Sequence, residues 1–128
     1  MKKFLLVILL TFSSLVHAQW ILVTTSEIGT KTFIEMKSIQ QINQYKRAWI
    51  KMEYSSNSQL AIKHNARSGR FYEEFDCREK KYRELTSTYF KQPDLIDELA
   101  AFNDTQPWNF VVPESIGEIK LNFVCKSK

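Results

Sequence analysis

Four acidic side chains crowd one short stretch: Glu73, Glu74, Asp76 and Glu79. Paired carboxylates are the machinery of glycoside hydrolysis, one serving as acid and the other as base or nucleophile. On a strand Glu74 and Asp76 share a face, but nothing beside them in the sequence marks a substrate cleft. With Arg70, Arg78 and Arg83 nearby, a solvated, charge-paired strand is the simpler expectation. His64 stands in a polar stretch with no thiol partner except the two cysteines, and it reads as an exposed histidine rather than a general base. The chain carries no Gly-rich phosphate loop and no G-x-S-x-G elbow. The expectation is a non-enzymatic protein with no catalytic residues and no cofactor.

The two cysteines, Cys77 and Cys125, allow a single intramolecular pairing. A structural bridge is the preferred reading. A redox pair lacks the C-x-x-C spacing, and two Cys with so few His fall short of four zinc ligands, so no metal is expected.

The stretch Lys63 to Arg83 sets Lys63, Arg67, Arg70, Arg78, Lys80, Lys81 and Arg83 against the four acids, with Phe71, Tyr72 and Tyr82 interleaved. An ordinary charged outer face accounts for this mixture of signs. If the stretch binds anything, Arg70, Tyr72, Lys81 and Arg83 are the candidate residues, and an acidic protein or a polysaccharide is the matching partner.

The elements that would position these residues read mostly as strands, in keeping with an aromatic share of 13%. Trp20 to Thr25 and Lys31 to Glu35 are expected as strands about a turn at Glu27–Thr30. Ser38 to Asn43 reads as a connecting turn or short helix. Arg47 to Tyr54 is the clearest strand, with Ala48, Ile50, Met52 and Tyr54 on one face and Arg47, Trp49, Lys51 and Glu53 on the other. Arg70 to Cys77 alternates Phe71, Phe75 and Cys77 against Arg70, Tyr72, Glu74 and Asp76. Lys80 to Lys91 pairs back on it through Arg78-Glu79. Pro93 to Leu99 reads as a short helix, with Pro first, acids in the first turn, and Leu95, Ile96, Leu99 and Phe102 on one face.

Ser115 and Glu118 fit a capping box, after which Ile116, Ile119, Phe123 and Val124 recur at helical spacing. A strand also fits there, because Gly117 and Asn122 are poor helix formers. On the helical reading Cys125 pins the last turn to the strand ending at Cys77. The fold class is α+β: an antiparallel sheet with a C-terminal helix on one face, tied by a disulfide.

The amino terminus is an export signal by its pattern: basic Lys2-Lys3, an apolar run from Phe4 to Val16, then Val16-His17-Ala18. The run is too short for the roughly 20 residues of a membrane span. Cleavage after Ala18 divides the chain into a signal peptide, 1–18, and one domain, 19–128. It lowers the net charge from +4 to +2, too little for a nucleic-acid footprint. With no cysteine near Ala18-Gln19 for lipid attachment, the expected location is the periplasm or the outside of the cell, with attachment to the surface left open.

The second half resembles the surface-adhesin E-like domain of Gram-negative bacteria. The residues that carry the resemblance are Glu74-Phe75-Asp76-Cys77, Tyr82-Arg83, Trp108, Val112-Pro113-Glu114-Ser115-Ile116-Gly117-Glu118 and Val124-Cys125, with Trp20 and Phe33 in support. The resemblance implies a curved antiparallel sheet whose concave side holds a helix by a disulfide. It also implies binding of host extracellular-matrix or envelope proteins without a catalytic centre. A periplasmic accessory protein of the lysozyme-inhibitor type is the alternative. If Trp108 is buried against the C-terminal helix, its truncation to Ala is expected to cost about 3–5 kcal/mol, and a near-neutral cost would place the ring on the surface.

Overall fold

The computed structural model describes residues 18–128, so all of the expected export segment except Ala18 lies outside the described residues. Trp20–Thr25 (β1) and Lys31–Glu35 (β2) form the first hairpin. A 3-10 turn at Met36–Ser38 leads into a short strand, Gln40–Ile42 (β3), which folds back on Tyr45–Glu53 (β4). The stretch expected as a connecting turn or short helix, Ser38 to Asn43, is turn at its two ends and strand over Gln40–Ile42. Its turn closes at Asn43, which takes φ 55°, a left-handed conformation that Asn tolerates better than most residues. β2 and β3 share one edge of β4 end to end, pairing with residues 50–53 and 45–47 respectively.

After a six-residue helix, Gln59–His64 (α1), the chain enters the long hairpin Ser68–Asp76 (β5) and Lys81–Gln92 (β6). Asp76 holds its turn, accepting from the N–H groups of Arg78 and Glu79 at 3.1 and 2.9 Å. Then follow Ile96–Phe102 (β7), Asn109–Phe110 (β8) and the closing helix Ile116–Lys126 (α2). The sheet is antiparallel and open, ordered β1-β2-β4-β5-β6-β7, with β3 also on β4 and β8 on β6.

The helix expected over Pro93 to Leu99 is absent: this segment is the turn and first half of the β6–β7 hairpin. Asp94 and Leu95 both adopt positive φ, which stops a right-handed helix before it starts. The Ser68 hydroxyl clamps the turn, donating to Gln92 O at 2.6 Å and accepting from Leu95 N at 3.0 Å. Pairing Ser87 through Gln92 with Phe102 back to Ile96 also satisfies a β6 edge that a local helix would leave open.

One face of the sheet is the core. Ile34, Ala48, Ile50, Phe71 and Phe75 are buried there beneath Leu121 and Val124 of α2. The helix is fastened at four points. Its amino end is capped by Ser115 Oγ, which accepts from Glu118 N at 3.2 Å. Gly117 presses on Tyr82 so closely that an added Cβ would stand 2.8 Å from the ring, which is why a poor helix former occupies the first turn. In the middle, Lys120 Nζ donates to both oxygens of Glu73 at 2.8 and 2.9 Å, and both side chains are buried. At the carboxy end Lys46 Nζ donates to the carbonyls of Val124, Cys125 and Ser127, a cation placed where the helix dipole favours it. The fourth tie is covalent: Cys77 and Cys125 are bonded, with Cα atoms 5.7 Å apart.

Burial works against the Lys120 ammonium, but Glu73, helped by Tyr82 and Glu84, outweighs it and raises the Lys120 pKa above the ordinary lysine value. Half-buried Glu84, the β6 partner of Glu73, is pushed the other way from comfort. Burial first, and then the charge of Glu73, lift its pKa above the usual carboxylate value, with Lys120 opposing.

Three outcomes are expected. Cys125→Ser opens a loop spanning a sequence separation of 48 and should cost up to about 4 kcal/mol in urea unfolding. Lys120→Met leaves Glu73 buried without its cation and should cost about 3–5 kcal/mol, most of it regained in the double variant Lys120→Met/Glu73→Leu. A carboxyl with a raised native pKa favours folding when protonated, so its contribution is lost as pH climbs from the ordinary carboxylate range through the raised value. Glu84→Gln should therefore melt higher than the parent at neutral pH, with the difference shrinking to nothing on acidification below that range.

Candidate functional site

Because Glu73 points into the core, its neighbours Tyr72 and Glu74 point to the opposite side of β5, the side without a helix. The strand register carries this alternation across the sheet. Trp49 lies opposite Tyr72, Lys51 opposite Arg70, and Arg47 opposite Glu74. On β6, Arg83 lies opposite Glu74 and Lys81 opposite Asp76. The four candidate residues Arg70, Tyr72, Lys81 and Arg83 thus share the uncovered face.

Cations and rings alternate over this face. Lys51 Nζ sits 4.4 Å from the Phe33 ring and 5.4 Å from Trp20, and it pairs with Asp94 at 3.1 Å. Trp49 and Tyr72 stack at 4.8 Å. The Arg70 guanidinium lies 5.5 Å from Trp49 and 5.7 Å from Phe90. Further along, Arg83 packs 4.1 Å from the Trp108 ring, and Lys81 Nζ stands 5.0 Å from Trp108 and 5.8 Å from Phe110. Tyr45 also packs on Trp108, with ring centroids 5.1 Å apart. Ring quadrupoles favour such cations, by about 0.5–1 kcal/mol each at exposed sites.

The acidic cluster resolves into two structural roles and one turn. Glu74 is 1% exposed and carries two guanidiniums, Arg47 at 2.8 Å and Arg83 at 2.7 Å. Glu73 belongs to Lys120 inside the core, and Asp76 holds the turn. The expected charge-paired strand is present, but its two glutamates are buried rather than solvated. His64 is not exposed either: it is half-buried, stacked on Tyr89 at 4.2 Å. Among the described residues no group of His, Cys, Asp and Glu could hold a metal ion.

Two concavities are relevant. One, about 580 Å³, is apolar and lies where α2 meets β1, lined by Leu22, Val23, Ile119 and Phe123. The other, about 420 Å³, opens on the uncovered face between Trp20, Glu35, Trp49 and Arg70, with Ala18 at its side.

Sequence reasoning put Trp49, Lys51 and Arg47 on one face but did not count them, or Trp20 and Phe33, as part of a site. The signal that finds them is register: only the β4–β5 pairing sets Trp49 against Tyr72 and Lys51 against Arg70. Trp108 is half-buried on the uncovered face over Arg83, not packed beneath α2.

Residues 20–126 match the family model described as surface-adhesin protein E. No curated protein sequence matches the chain. Among solved structures, crystal form II of Haemophilus influenzae protein E superposes with a TM-score of 0.63 at 14% identity, covering 86% of this chain and 89% of that one. The selenomethionine form of the same protein gives 0.59 at 15% identity over 86% and 88%. At such identities the likeness is one of fold.

Trp108→Ala removes a half-exposed ring and its cation contacts rather than a core side chain. It should cost no more than about 2 kcal/mol in urea unfolding, whereas a loss of about 3–5 kcal/mol would mean a buried ring.

Proposed function

The chain belongs to the surface-adhesin protein E family, and from that premise we propose that it is an exported, non-enzymatic protein that binds host extracellular-matrix or envelope proteins through its uncovered sheet face. The observation that carries the reading is the lattice of cations and aromatic rings on the one face that α2 leaves bare. Aromatic and Arg side chains are the residue types that dominate binding energy in protein interfaces. Their half-buried, mutually braced placement means that little side-chain freedom is lost on docking. In this reading Arg70, Tyr72, Lys81 and Arg83 contact the partner, with Trp49 and Trp108 as rigid platforms between them. Export by a signal removed after Ala18, delivering the domain 19–128 to the periplasm or beyond, is part of the same proposal. Among the described residues no helix is long and apolar enough to cross a membrane.

The test is retention of purified extracellular-matrix proteins, and of an envelope extract, on the immobilised oxidised chain. At least one matrix protein should be retained, and the double reversal Arg70→Glu/Lys81→Glu should weaken it tenfold or more with the melting temperature unchanged. Retention of an envelope enzyme alone would replace the adhesin reading with that of a periplasmic inhibitor.

A further inference from the structure

The three guanidiniums of the uncovered face are not equivalent. Arg47 and Arg83 share Glu74, whereas Arg70 has no carboxylate partner among the described residues. Its Nε is buried without a hydrogen-bond acceptor. Arg70 lines a concavity, and among the described residues its guanidinium makes no hydrogen bond or ion pair, so its remaining N–H donors are available to a ligand oxygen. The concavity is lined by Trp20, Trp49 and Glu35, all of which remain when Ala18, at its side, leaves with the proposed signal. One Glu35 oxygen receives Lys37 N at 3.3 Å, which leaves the other free to accept. Six residues along β5 from Arg70, about 20 Å at strand rise, lies Asp76, and opposite it on β6 Lys81 repeats the pattern: a cation against Trp108 and Phe110, with no carboxylate within ion-pair distance among the described residues. Between the two lie the Tyr72 ring and a Glu74 already neutralised by two arginines.

We propose that this track binds a linear, unsulfated acidic polysaccharide, with uronate carboxylates at Arg70 and Lys81 and sugar rings laid against Trp49 and Trp108. The unpaired guanidinium of Arg70, where it lines the concavity, suits a planar carboxylate. The apolar faces of sugar rings suit indole walls, and their hydroxyls can donate to Glu35. An acidic peptide would bring clustered negative charge towards Glu35 and offer it no hydroxyl. Two cations without carboxylate partners, about 20 Å apart along the strands, match a polymer whose charges are spaced by uncharged units. This activity goes beyond protein binding but rests on the same face being the working surface.

The experiment is a tryptophan-fluorescence titration of the oxidised chain with hyaluronan oligosaccharides of increasing length, which alternate glucuronic acid with N-acetylglucosamine. Carboxyl-reduced oligosaccharides and an oligoglutamate of equal charge are the comparisons. Affinity should rise with length until both cations are spanned, and it should fall as salt is added. Carboxyl reduction, Arg70→Gln and Lys81→Gln should each weaken binding about tenfold, and both variants should keep the parent melting temperature. Absence of uronate binding, oligoglutamate binding as tight as the sugar, or indifference to Arg70→Gln would each overturn the proposal. Failure here with matrix-protein retention intact removes the polysaccharide alone; loss of both removes the face as the working surface.

Discussion

A sheet has two faces, and among the described residues there is one long helix with which to cover them. That constraint organises everything else. α2 is fastened by a cap at its start, an ion pair at its middle, a lysine at its end and a disulfide beside it. The ion pair is the tie that least tolerates loss of one partner, because Glu73 lies on the core face of β5 and would be a buried bare charge without Lys120. The disulfide adds restraint on the unfolded chain, and the pair fixes which part of the helix sits over which strand.

The opposite face has no such cover, so the strands must stabilise it with their own side chains. They do so with rings that shield the backbone ladder and cations that cap the rings. Amphipathic side chains suit this task, since Lys and Arg bury their stems while keeping their charges near water. The same arrangement makes a rigid, mildly basic, aromatic surface. Structure and recognition therefore draw on one set of residues: Arg83 braces Trp108 and pairs with Glu74 while also presenting its edge outward.

Much of this was legible in the residues. The alternation in Arg47 to Tyr54 sorted its two faces as the structure has them, the Ser115–Glu118 cap marked α2, and two cysteines with a single possible pairing implied their own bond. Local patterns failed where long-range pairing decides. Pro93 to Leu99 carries good helix signals, but the Ser68 hydroxyl and the free edge of β6 turn it into a hairpin. Glu73 looked like one acid in a solvated cluster because its cation is 47 residues away, on another element. Trp108 carried no assignment to a face, because nothing local to it reveals that Arg83 and Tyr45 await it on the uncovered one.

The central claim is that the face without the helix does the binding. Hydroxyl-radical footprinting of the oxidised chain, alone and bound to a retained matrix protein, addresses it directly. The account predicts that Trp20, Trp49, Tyr72 and Trp108 lose reactivity on binding while Phe123 and Ile119, beside α2, do not change. Protection centred on α2 and on Leu22 and Val23 beside it, with the three tryptophans still reactive, would contradict it.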